Sequence, residues 1–259
     1  MRRSEVLFGR GTRSGPSDAD DARTWKGLPV IFDEVFTGLY RLGRFSASSF
    51  LGTDADISVH AKLLTGGVVP LCTTLASESI FRAFASEDKT DALLHGHSYT
   101  AHAVGCQVAL ESLRQLQTLD QTGQWDWAKR LYEDGASRQQ AQHGEDNILL
   151  KESTPWSIWS TGFVDWVSRR TNVAGVWALG SVLSIHLHAG DGAGYKSTAA
   201  VKIRDELRRG PVRGTQGSWN VHSRVLGNVL YIMGSQTSTE EDIKEIEALV
   251  RERMEKLAV

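Results

Sequence analysis

Cysteine is nearly absent from this sequence, and no uninterrupted apolar run reaches the ~18 residues that a membrane span needs. The two cysteines of the 259-residue chain, Cys72 and Cys106, lie in apolar stretches, which predicts buried thiols in a reducing compartment rather than a disulfide scaffold. Neither sign of charge dominates: the net charge is −2, so no broad field favours nucleic acid or an anionic membrane. The composition, 41% hydrophobic and 23% charged, is typical of a globular protein.

The first 27 residues lack an amphipathic period and the apolar core of a signal peptide. Their arginine content is a faint feature of organellar presequences, but Asp18, Asp20 and Asp21 argue against one. We therefore expect residues 1–27 to be a flexible, loop-like segment without a targeting signal.

The next part of the sequence has the pattern of a parallel α/β sheet. Residues 28–34, LPVIFDE, form the continuous apolar run of a strand buried on both faces. Residues 68–77 predict a second strand, after which Ser77 can cap a helix through about Phe84. Residues 101–119 predict a long amphipathic helix with one inward stripe: Cys106, Ala109, Leu110, Leu113 and Leu116.

The last hundred residues predict a smaller α/β unit. Residues 175–188 alternate as a strand, residues 196–210 predict a helix that ends at Gly210, and residues 228–234 predict another strand. A final helix opens with a capping box between Ser238 and Glu241 and buries one face: Ile243, Ile246, Leu249 and Val250.

These elements predict an α/β protein with a boundary near residue 105. Residues 28–105 would be part of a large domain, and residues 106–259 would contain a linking helix, an insertion at about 120–160 and a small C-terminal domain. The tryptophans of the insertion are expected to cover local surface: Trp125, Trp127, Trp156 and Trp159.

The strongest chemical signal is a carboxylate, Asp33, at the end of the first strand. Open α/β sheets bind ligands beyond the carboxyl ends of their strands, and a carboxylate buried there needs a cation. Lys62 follows in the sequence HAKLLTGG, where Gly66 and Gly67 permit unusual backbone angles. A pyridoxal phosphate site needs this pair, because the acid pairs with the protonated pyridine nitrogen and the lysine forms the Schiff base. Taken singly, each residue is more often a turn signal or a solvated loop residue.

The other conspicuous residues, four histidines, do not predict a functional site of their own. A zinc site on His95 and His97 is disfavoured because no further ligands stand at metal-binding spacing. His186 and His188 share one strand face and are expected to be solvated or hydrogen-bonded.

Three motifs resemble the class III (ω-type) aminotransferases, which have the fold of type I pyridoxal-phosphate enzymes. FDEVFTGLYRLG at residues 32–43 resembles the family signature, and AKLLTGG at residues 61–67 is similar to its Schiff-base segment. LLHGHSYTAHAVGC at residues 93–106 resembles the stretch that supplies phosphate ligands from the neighbouring subunit. HGHSYTAHAVGC and SRVLGNVLYIM are most similar to the diaminopelargonate aminotransferase subfamily of biotin synthesis. These two motifs are more similar to the plant and fungal bifunctional form, which is fused behind a dethiobiotin synthetase, than to the bacterial form. The resemblance covers about residues 28–115 and 175–259.

This resemblance implies the roles of six residues. Lys62 would hold pyridoxal 5'-phosphate and move a proton as general base and acid, while Asp33 would keep the ring nitrogen protonated. The other four are expected to bind cofactor phosphate or substrate. His97 and Ser98 would lie at the phosphate across a homodimer interface, Gly96 against the substrate, and Arg224 at the carboxylate of the keto acid. Arg41 is expected to brace the Asp33 loop.

The implied reaction converts 8-amino-7-oxononanoate to 7,8-diaminononanoate with S-adenosylmethionine as amino donor. The resemblance also implies a mitochondrial location, with a cytoplasmic one as the alternative. Two other functions stay open: a class III enzyme acting on another ω-amine, such as ornithine or 4-aminobutyrate, or a non-catalytic remnant. Class III enzymes are longer, and the N-terminal phosphate cup and ring-stacking aromatic are missing here. We therefore expect a C-terminal fragment that alone is poorly stable, exposes an unpaired sheet edge and holds the cofactor weakly.

Overall fold

The computed structural model describes residues 28–92, 96–132, 155–190, 192, 194–211 and 219–257. These residues form two compact units, an N-terminal unit within residues 11–122 and a C-terminal unit within residues 123–259. The division follows the long helix, whereas the sequence pattern put a boundary near residue 105. The predicted loop at 1–27 lies outside the described residues, and the predicted domain roles stay predictions. No helix in the described ranges has both the length and the apolar character that crossing a bilayer requires.

The N-terminal unit alternates short strands and helices. Its described elements are β1 (Ile31–Asp33), α1 (Ser48–Leu51), β2 (Ile57–His60), β3 (Thr73–Ala76), α2 (Glu78–Arg82) and α3 (Ala103–Gln121), with single 3₁₀ turns at Lys62–Leu64 and Lys89–Asp91. β2 is the central strand of a three-stranded sheet, parallel to β1 and antiparallel to β3. The sequence patterns did not predict β2.

Two strand predictions need correction. β1 hydrogen-bonds to β2 alone in the described sheet, and its Ile31 is 59% exposed, so the run at 28–34 is not buried on both faces. The strand predicted at 68–77 begins only at Thr73 and runs antiparallel. Pro70 explains the late start, because proline has no N–H to donate to a sheet.

Two of the described helices of this unit were predicted: α2 begins directly after Ser77, and α3 begins at Ala103, two residues later than the predicted segment. The Ser77 hydroxyl caps α2 by accepting from the Ile80 amide, and α2 ends at Arg82 rather than near Phe84. The long helix α3 is confirmed, but its buried positions are Gly105, Ala109 and Leu116.

The predicted stripe on α3 is wider than the face that packs. Cys106 and Leu110 each follow a buried position by one residue, which rotates them about 100° around the helix and exposes them. Cys72 is also exposed, so the prediction of buried thiols is wrong.

The C-terminal unit is built on a four-stranded antiparallel sheet. Its described elements are a helical segment at 126–132, α4 (Thr161–Ser168), β4 (Val173–Leu179), β5 (Val182–Leu187), α5 (Val201–Arg208), β6 (Ser223–Leu226), β7 (Val229–Met233) and α6 (Glu240–Leu257). The strand order is β4-β5-β7-β6. The predicted strand at 175–188 is a hairpin of β4 and β5, because Gly180, with a φ of 54°, turns the chain.

The alternation of β5 creates the core of this unit. Leu183 and Ile185 are completely buried, and Leu187 is 4% exposed, as the period of two predicted. Trp125 and Trp159 are also buried in the core, so these side chains do not cover surface as predicted. Their indole nitrogens donate to the Gln236 and Ser181 carbonyl oxygens, which removes the cost of burying a polar N–H.

The ends of two helices test the capping predictions. Gly210 has a φ of 68° just beyond α5, which confirms the predicted stop. The capping box of α6 is displaced by one residue from the prediction. Thr239 Oγ1 accepts from the Asp242 amide at 3.2 Å, and Asp242 Oδ2 accepts from the Thr239 amide at 2.8 Å.

Candidate active site

The parallel pairing of β1 and β2 brings Asp33 and Lys62 to one edge of the sheet. Ile31 is paired with Ile57 and Asp33 with Val59, so the two strands end side by side. Lys62 follows Val59 by three residues. The carboxyl end of a parallel pair is where open α/β sheets bind ligands.

Asp33 is the last residue of β1 and its side chain reaches solvent. Its Oδ1 accepts one hydrogen bond, from the Val35 amide at 3.1 Å, which fixes the start of the turn beyond the strand. The carboxylate is therefore held by its own loop and still accessible at the sheet edge.

Lys62 occupies a constrained backbone position in the 3₁₀ turn Lys62–Leu64. Its φ of 51° is left-handed, which costs energy for a residue with a side chain, and its side chain is exposed. Gly66 and Gly67 also have positive φ angles, 59° and 80°, as the glycine pair suggested. The Ser112 hydroxyl donates to the Leu63 carbonyl at 2.8 Å, so the turn is tied to α3.

Glu34, next to Asp33, is a structural carboxylate. It is 3% exposed, and it accepts hydrogen bonds from the Ser46 hydroxyl and from the Ala47 amide at 2.7 Å. Both carboxylate oxygens are thus engaged at the start of α1. The acidic pair divides into a buried anchor, Glu34, and an exposed acid, Asp33.

Close packing explains the glycine of the signature, Gly38. A β-carbon at Gly38 would lie 3.0 Å from His60 Nδ1 and 3.1 Å from the Glu34 carbonyl, tighter than ordinary contacts. His60 is buried, its Nε2 lies 3.2 Å from Ser58 Oγ, and its Nδ1 has no hydrogen-bond partner within the described ranges. The glycine lets the Asp33 loop pack directly on the end of β2, two residues before Lys62.

A second contact ties the same loop to α3. Burial, followed by the nearby Asp120, raises the pKa of Tyr40 to about 12, and the Tyr40 hydroxyl donates to Asp120 Oδ2 at 3.3 Å. Tyr40 and its neighbour Leu39 have left-handed backbones, with φ angles of 66° and 58°. The loop between β1 and α1 therefore has a defined conformation.

Gly96, His97 and Ser98 lie in an exposed turn before α3, in the same unit as Lys62. The His97 amide donates to Thr100 Oγ1 at 2.8 Å, and His97 Nδ1 accepts from the Tyr99 amide at 3.1 Å. These bonds leave His97 Nε2 and the Ser98 hydroxyl unengaged by other described residues, as a site for an anionic group requires.

Arg224 lies in the other unit, exposed on β6, where it is paired across the strands with Tyr231. The structure therefore brings Asp33 and Lys62 together, and it places Gly96, His97 and Ser98 in their unit. The predicted roles of all six residues stay predictions.

Sequence reasoning missed two residues near Lys62. His60 gave no signal, because a lone histidine inside an unrecognised strand looks like any core residue. Phe36 belongs to the signature motif, but its sequence position predicts no role, although its ring contacts both Arg41 and Lys62. Burial lowers the pKa of the Arg41 guanidinium.

The remaining histidines give no metal site among the residues that can be described, where no group of three or more His, Cys, Asp and Glu side chains converges. His95 lies outside the described residues. The His186 ring is 4.2 Å from the Trp177 ring, and burial lowers the pKa of His186. A pocket of about 310 Å³ in the C-terminal unit is lined by none of the predicted site residues. Its lining is Asn172, Leu187, His188, Ala199, Lys202, Ile203, Lys256 and Leu257.

Comparison with known proteins adds sequence relatives to this geometry. Residues 24–148 match the family described as Aminotransferase class-III. A bifunctional dethiobiotin synthetase/adenosylmethionine-8-amino-7-oxononanoate aminotransferase from Emericella nidulans is 53% identical over 98% of this chain and 30% of the relative. A bifunctional dethiobiotin synthetase/7,8-diamino-pelargonic acid aminotransferase, mitochondrial, from Oryza sativa subsp. japonica is 41% identical over 89% of this chain and 24% of the relative. The chain thus spans less than a third of these relatives.

A solved structure supports the fold. The PLP-bound amine transaminase from an uncultivated Pseudomonas species aligns with 91% of this chain and 46% of its own, with a TM-score of 0.67 and 23% identity. At this identity the likeness shows the fold alone. It confirms the predicted fold class, an α/β part of a fold-type I pyridoxal-phosphate transferase.

Proposed function

We propose, from the premise that this chain carries part of a class-III aminotransferase domain, that it supplies the lysine and the acid of a transaminase site. The observation that carries the proposal is the parallel pairing of β1 and β2, which sets Asp33 and Lys62 at one sheet edge. In this proposal residues 28–105 belong to the large domain, and residues 106–259 contain the linking helix and the small domain.

The residues at this edge fit pyridoxal 5'-phosphate. A Schiff base needs an amine that is not consumed by an ion pair, and Lys62 has neither an ion pair nor a hydrogen bond from its amine in the described ranges. A protonated pyridine nitrogen needs a carboxylate, and among the described residues Asp33 has its Oδ2 available, since its one hydrogen bond is accepted by Oδ1. The cofactor is accordingly part of the proposal.

When bound, pyridoxal phosphate supplies the electron sink for the substrate carbon that loses a proton. Asp33 would keep the pyridine nitrogen protonated, and Lys62 Nζ would hold the cofactor. The freed Lys62 amine would act as general base and then as general acid, taking the proton from the substrate carbon and giving it up again. The left-handed turn at Lys62 and its bond to α3 fix where that amine begins.

The other predicted residues complete the proposal. Ser98 donates its hydroxyl to the phosphate with His97 beside it, in a homodimer whose site lies at the interface, and Gly96 leaves room for substrate. Arg224 grips a carboxylate bidentately, which suits the carboxylate tail of a keto acid.

The substrates are proposed from the names of the relatives. We infer transamination of 8-amino-7-oxononanoate to 7,8-diaminononanoate, with S-adenosylmethionine as amino donor, in biotin synthesis. The names of the fungal and rice relatives support this. A mitochondrial location is proposed because the rice and Arabidopsis thaliana relatives are named mitochondrial.

Reductive trapping tests the proposed function. The 259-residue chain is incubated with pyridoxal 5'-phosphate, reduced with borohydride, digested and analysed by mass spectrometry. We expect the phosphopyridoxyl group on the Lys62 peptide, and its loss in Lys62→Ala but not in Lys89→Ala, which removes an exposed lysine of the same unit. The trial is repeated with the preceding segment of the Emericella nidulans relative added in trans. Absence of label from Lys62 in both trials would overturn the proposed function.

Complementation tests the substrates. A biotin-requiring strain that lacks the diaminononanoate step receives the chain together with the same preceding segment. Growth without biotin is expected, and Arg224→Lys should reduce it because lysine cannot make the bidentate contact. No growth without biotin, together with transamination of ornithine or 4-aminobutyrate by the same mixture in vitro, would favour the other ω-amine class.

A further inference from the structure

Phe36 lies between the two halves of the candidate site. It follows Asp33 by three residues in the turn beyond β1, and its ring centroid is 5.9 Å from Lys62 Nζ beyond β2. The same ring is 5.5 Å from the Cζ of Arg41. One aromatic ring therefore contacts two cationic side chains that come from different segments of the site.

The ring contact is the attraction that the structure gives the Lys62 amine. No ion pair or hydrogen bond joins this amine to another described residue. The two acids of the signature make hydrogen bonds to other groups: the Glu34 oxygens accept from Ser46 and Ala47, and Asp33 Oδ1 accepts from the Val35 amide. The amine is thus held by an aromatic face instead of a carboxylate.

Contact with an aromatic ring suits a lysine whose amine must react with an aldehyde. A carboxylate would hold the ammonium by strong, charge-assisted hydrogen bonds, whereas a ring attracts the cation more weakly and makes no such bonds, so less stabilisation is lost when the amine gives up its proton. Arg41 contacts the same ring from the signature loop, and its guanidinium is always charged, so it restrains the ring without competing for a proton.

We propose that Phe36 is a positioning residue for Lys62: its ring holds the amine at the edge shared by β1 and β2 and leaves it free to meet an aldehyde. The inference rests on the proposed function of Lys62. An exposed cation–π contact changes the population of one arrangement about two- to fivefold, which sets the size of the expected effect.

The first experiment measures the geometry without the cofactor. Lysines of the 259-residue chain are methylated with ¹³C-formaldehyde, and the Lys62 dimethylamine signal, assigned by its absence in Lys62→Ala, is recorded by NMR. Dimethyl-lysine keeps its charge, so an upfield ring-current shift is expected in the native chain and in Phe36→Tyr. The shift should be lost in Phe36→Leu, which keeps the apolar bulk. An unshifted signal in the native chain would overturn the proposal.

The second experiment measures the consequence. The rate of pyridoxal 5'-phosphate capture at Lys62 is compared with the rate of formaldehyde modification at Lys62, with Lys89 as an internal reference. Phe36→Leu should slow capture of the larger aldehyde about two- to fivefold and leave formaldehyde modification unchanged, while Phe36→Tyr restores capture. A general loss of folding would change both rates at Lys62, whereas the proposed role of Phe36 predicts a change in the capture rate alone.

The outcomes separate the two proposals. Capture at Lys62 that is equally fast in Phe36→Leu and in the native chain overturns the role of Phe36 and leaves the proposed function standing. No capture at Lys62 in the native chain, even with the preceding segment of the relative present, overturns the proposed function and this inference with it.

Discussion

The two units differ in where they place their large apolar side chains. The C-terminal unit buries Leu183, Ile185 and Leu230 completely. In the N-terminal unit the buried apolar set is short, namely Leu39, Tyr40, Leu64, Ala109 and Leu116. All but three of the exposed large apolar side chains of the described residues lie in the N-terminal unit: Leu28, Ile31, Phe45, Leu51, Val68, Leu75, Phe81, Phe84, Tyr99, Val104 and Leu110.

The difference teaches how each unit is stabilised. The C-terminal unit has a sheet with one face packed on helices, so burial of apolar surface stabilises it. The N-terminal unit carries the candidate site, and its defined features are polar contacts and backbone turns around Asp33 and Lys62. Truncation of large apolar side chains should therefore destabilise the C-terminal unit more than the N-terminal unit.

The largest expected effect is a core truncation compared with a surface one. Leu183→Ala in β5 should lower the free energy of unfolding by about 2–5 kcal/mol, because it leaves a cavity at a completely buried position. Leu75→Ala in β3 is the matched change at a leucine that is 59% exposed, and it should cost under about 0.5 kcal/mol.

Tryptophan fluorescence during urea unfolding reports the C-terminal unit, since seven of the eight tryptophans lie after residue 122. The effect of Leu75→Ala is measured by hydrogen exchange of the backbone amides in the N-terminal unit. Equal losses in the two variants would contradict the comparison, because they would mean that Leu75 is buried in solution.

The next effect concerns the buried acid of the N-terminal unit. Glu34→Ala should lower the protection of the Ala47 amide against hydrogen exchange and cost about 1–3 kcal/mol, since it leaves buried donors without an acceptor. Glu78→Ala is the control, because Glu78 pairs with Arg82 on an exposed surface, where such pairs contribute under about 1 kcal/mol. If Glu78→Ala lowers the free energy of unfolding as much as Glu34→Ala, the hydrogen bonds to the Glu34 carboxylate are not what stabilises the loop.

A matched pair of helix caps gives a smaller effect. Ser160 caps α4 by accepting from the Phe163 amide at 3.2 Å, and its own amide and hydroxyl donate to Glu247 at 2.6 Å and 2.8 Å. Ser77 caps α2 with a single 3.5 Å contact to Ile80. Ser160→Ala should cost about 1–2 kcal/mol and Ser77→Ala about 0.5 kcal/mol or less. Thermal unfolding followed by fluorescence measures the stability loss in Ser160→Ala, and hydrogen exchange of the α2 amides measures the loss in Ser77→Ala. A larger loss in Ser77→Ala than in Ser160→Ala would contradict the prediction.

The smallest expected effect is on how the free energy of unfolding depends on pH. Burial raises the pKa of Glu247 above that of an unfolded glutamate, although bonds from Ser160 oppose the shift. The folded state therefore binds more protons, and the unfolding free energy falls as pH rises from the unfolded pKa through the folded one. Glu247→Gln should flatten this part of the curve above about pH 4.5. Urea titrations at several pH values measure the slope, and an unchanged slope would show that Glu247 does not titrate there.

The sequence predicted more of the C-terminal unit than of the N-terminal one. The alternation in β5, the stop at Gly210 and the helix α6 could be read directly, because one face of each element packs inside its own unit. In the N-terminal unit the burial of residues 28–34, Cys72 and Cys106 was predicted wrongly. An apolar residue predicts a preference for burial, but only the neighbouring elements decide whether it is buried.

The candidate site shows the same division. The residues Asp33 and Lys62 could be chosen from the sequence, because an acid after an apolar run and a lysine before a glycine pair are local patterns. Phe36 and His60 could not, because their importance depends on contacts between segments that lie about 25 residues apart in the chain.

The sequence by itself determined the local periods, the turn residues and the chemical groups of this protein, because these follow from steric limits and hydrogen bonding within a few residues. Only the tertiary structure decided that β1 and β2 run in parallel, that Glu34 is buried while Asp33 is exposed, and that one ring contacts both Arg41 and Lys62. Those outcomes depend on packing between distant segments, whose free energy no local pattern contains.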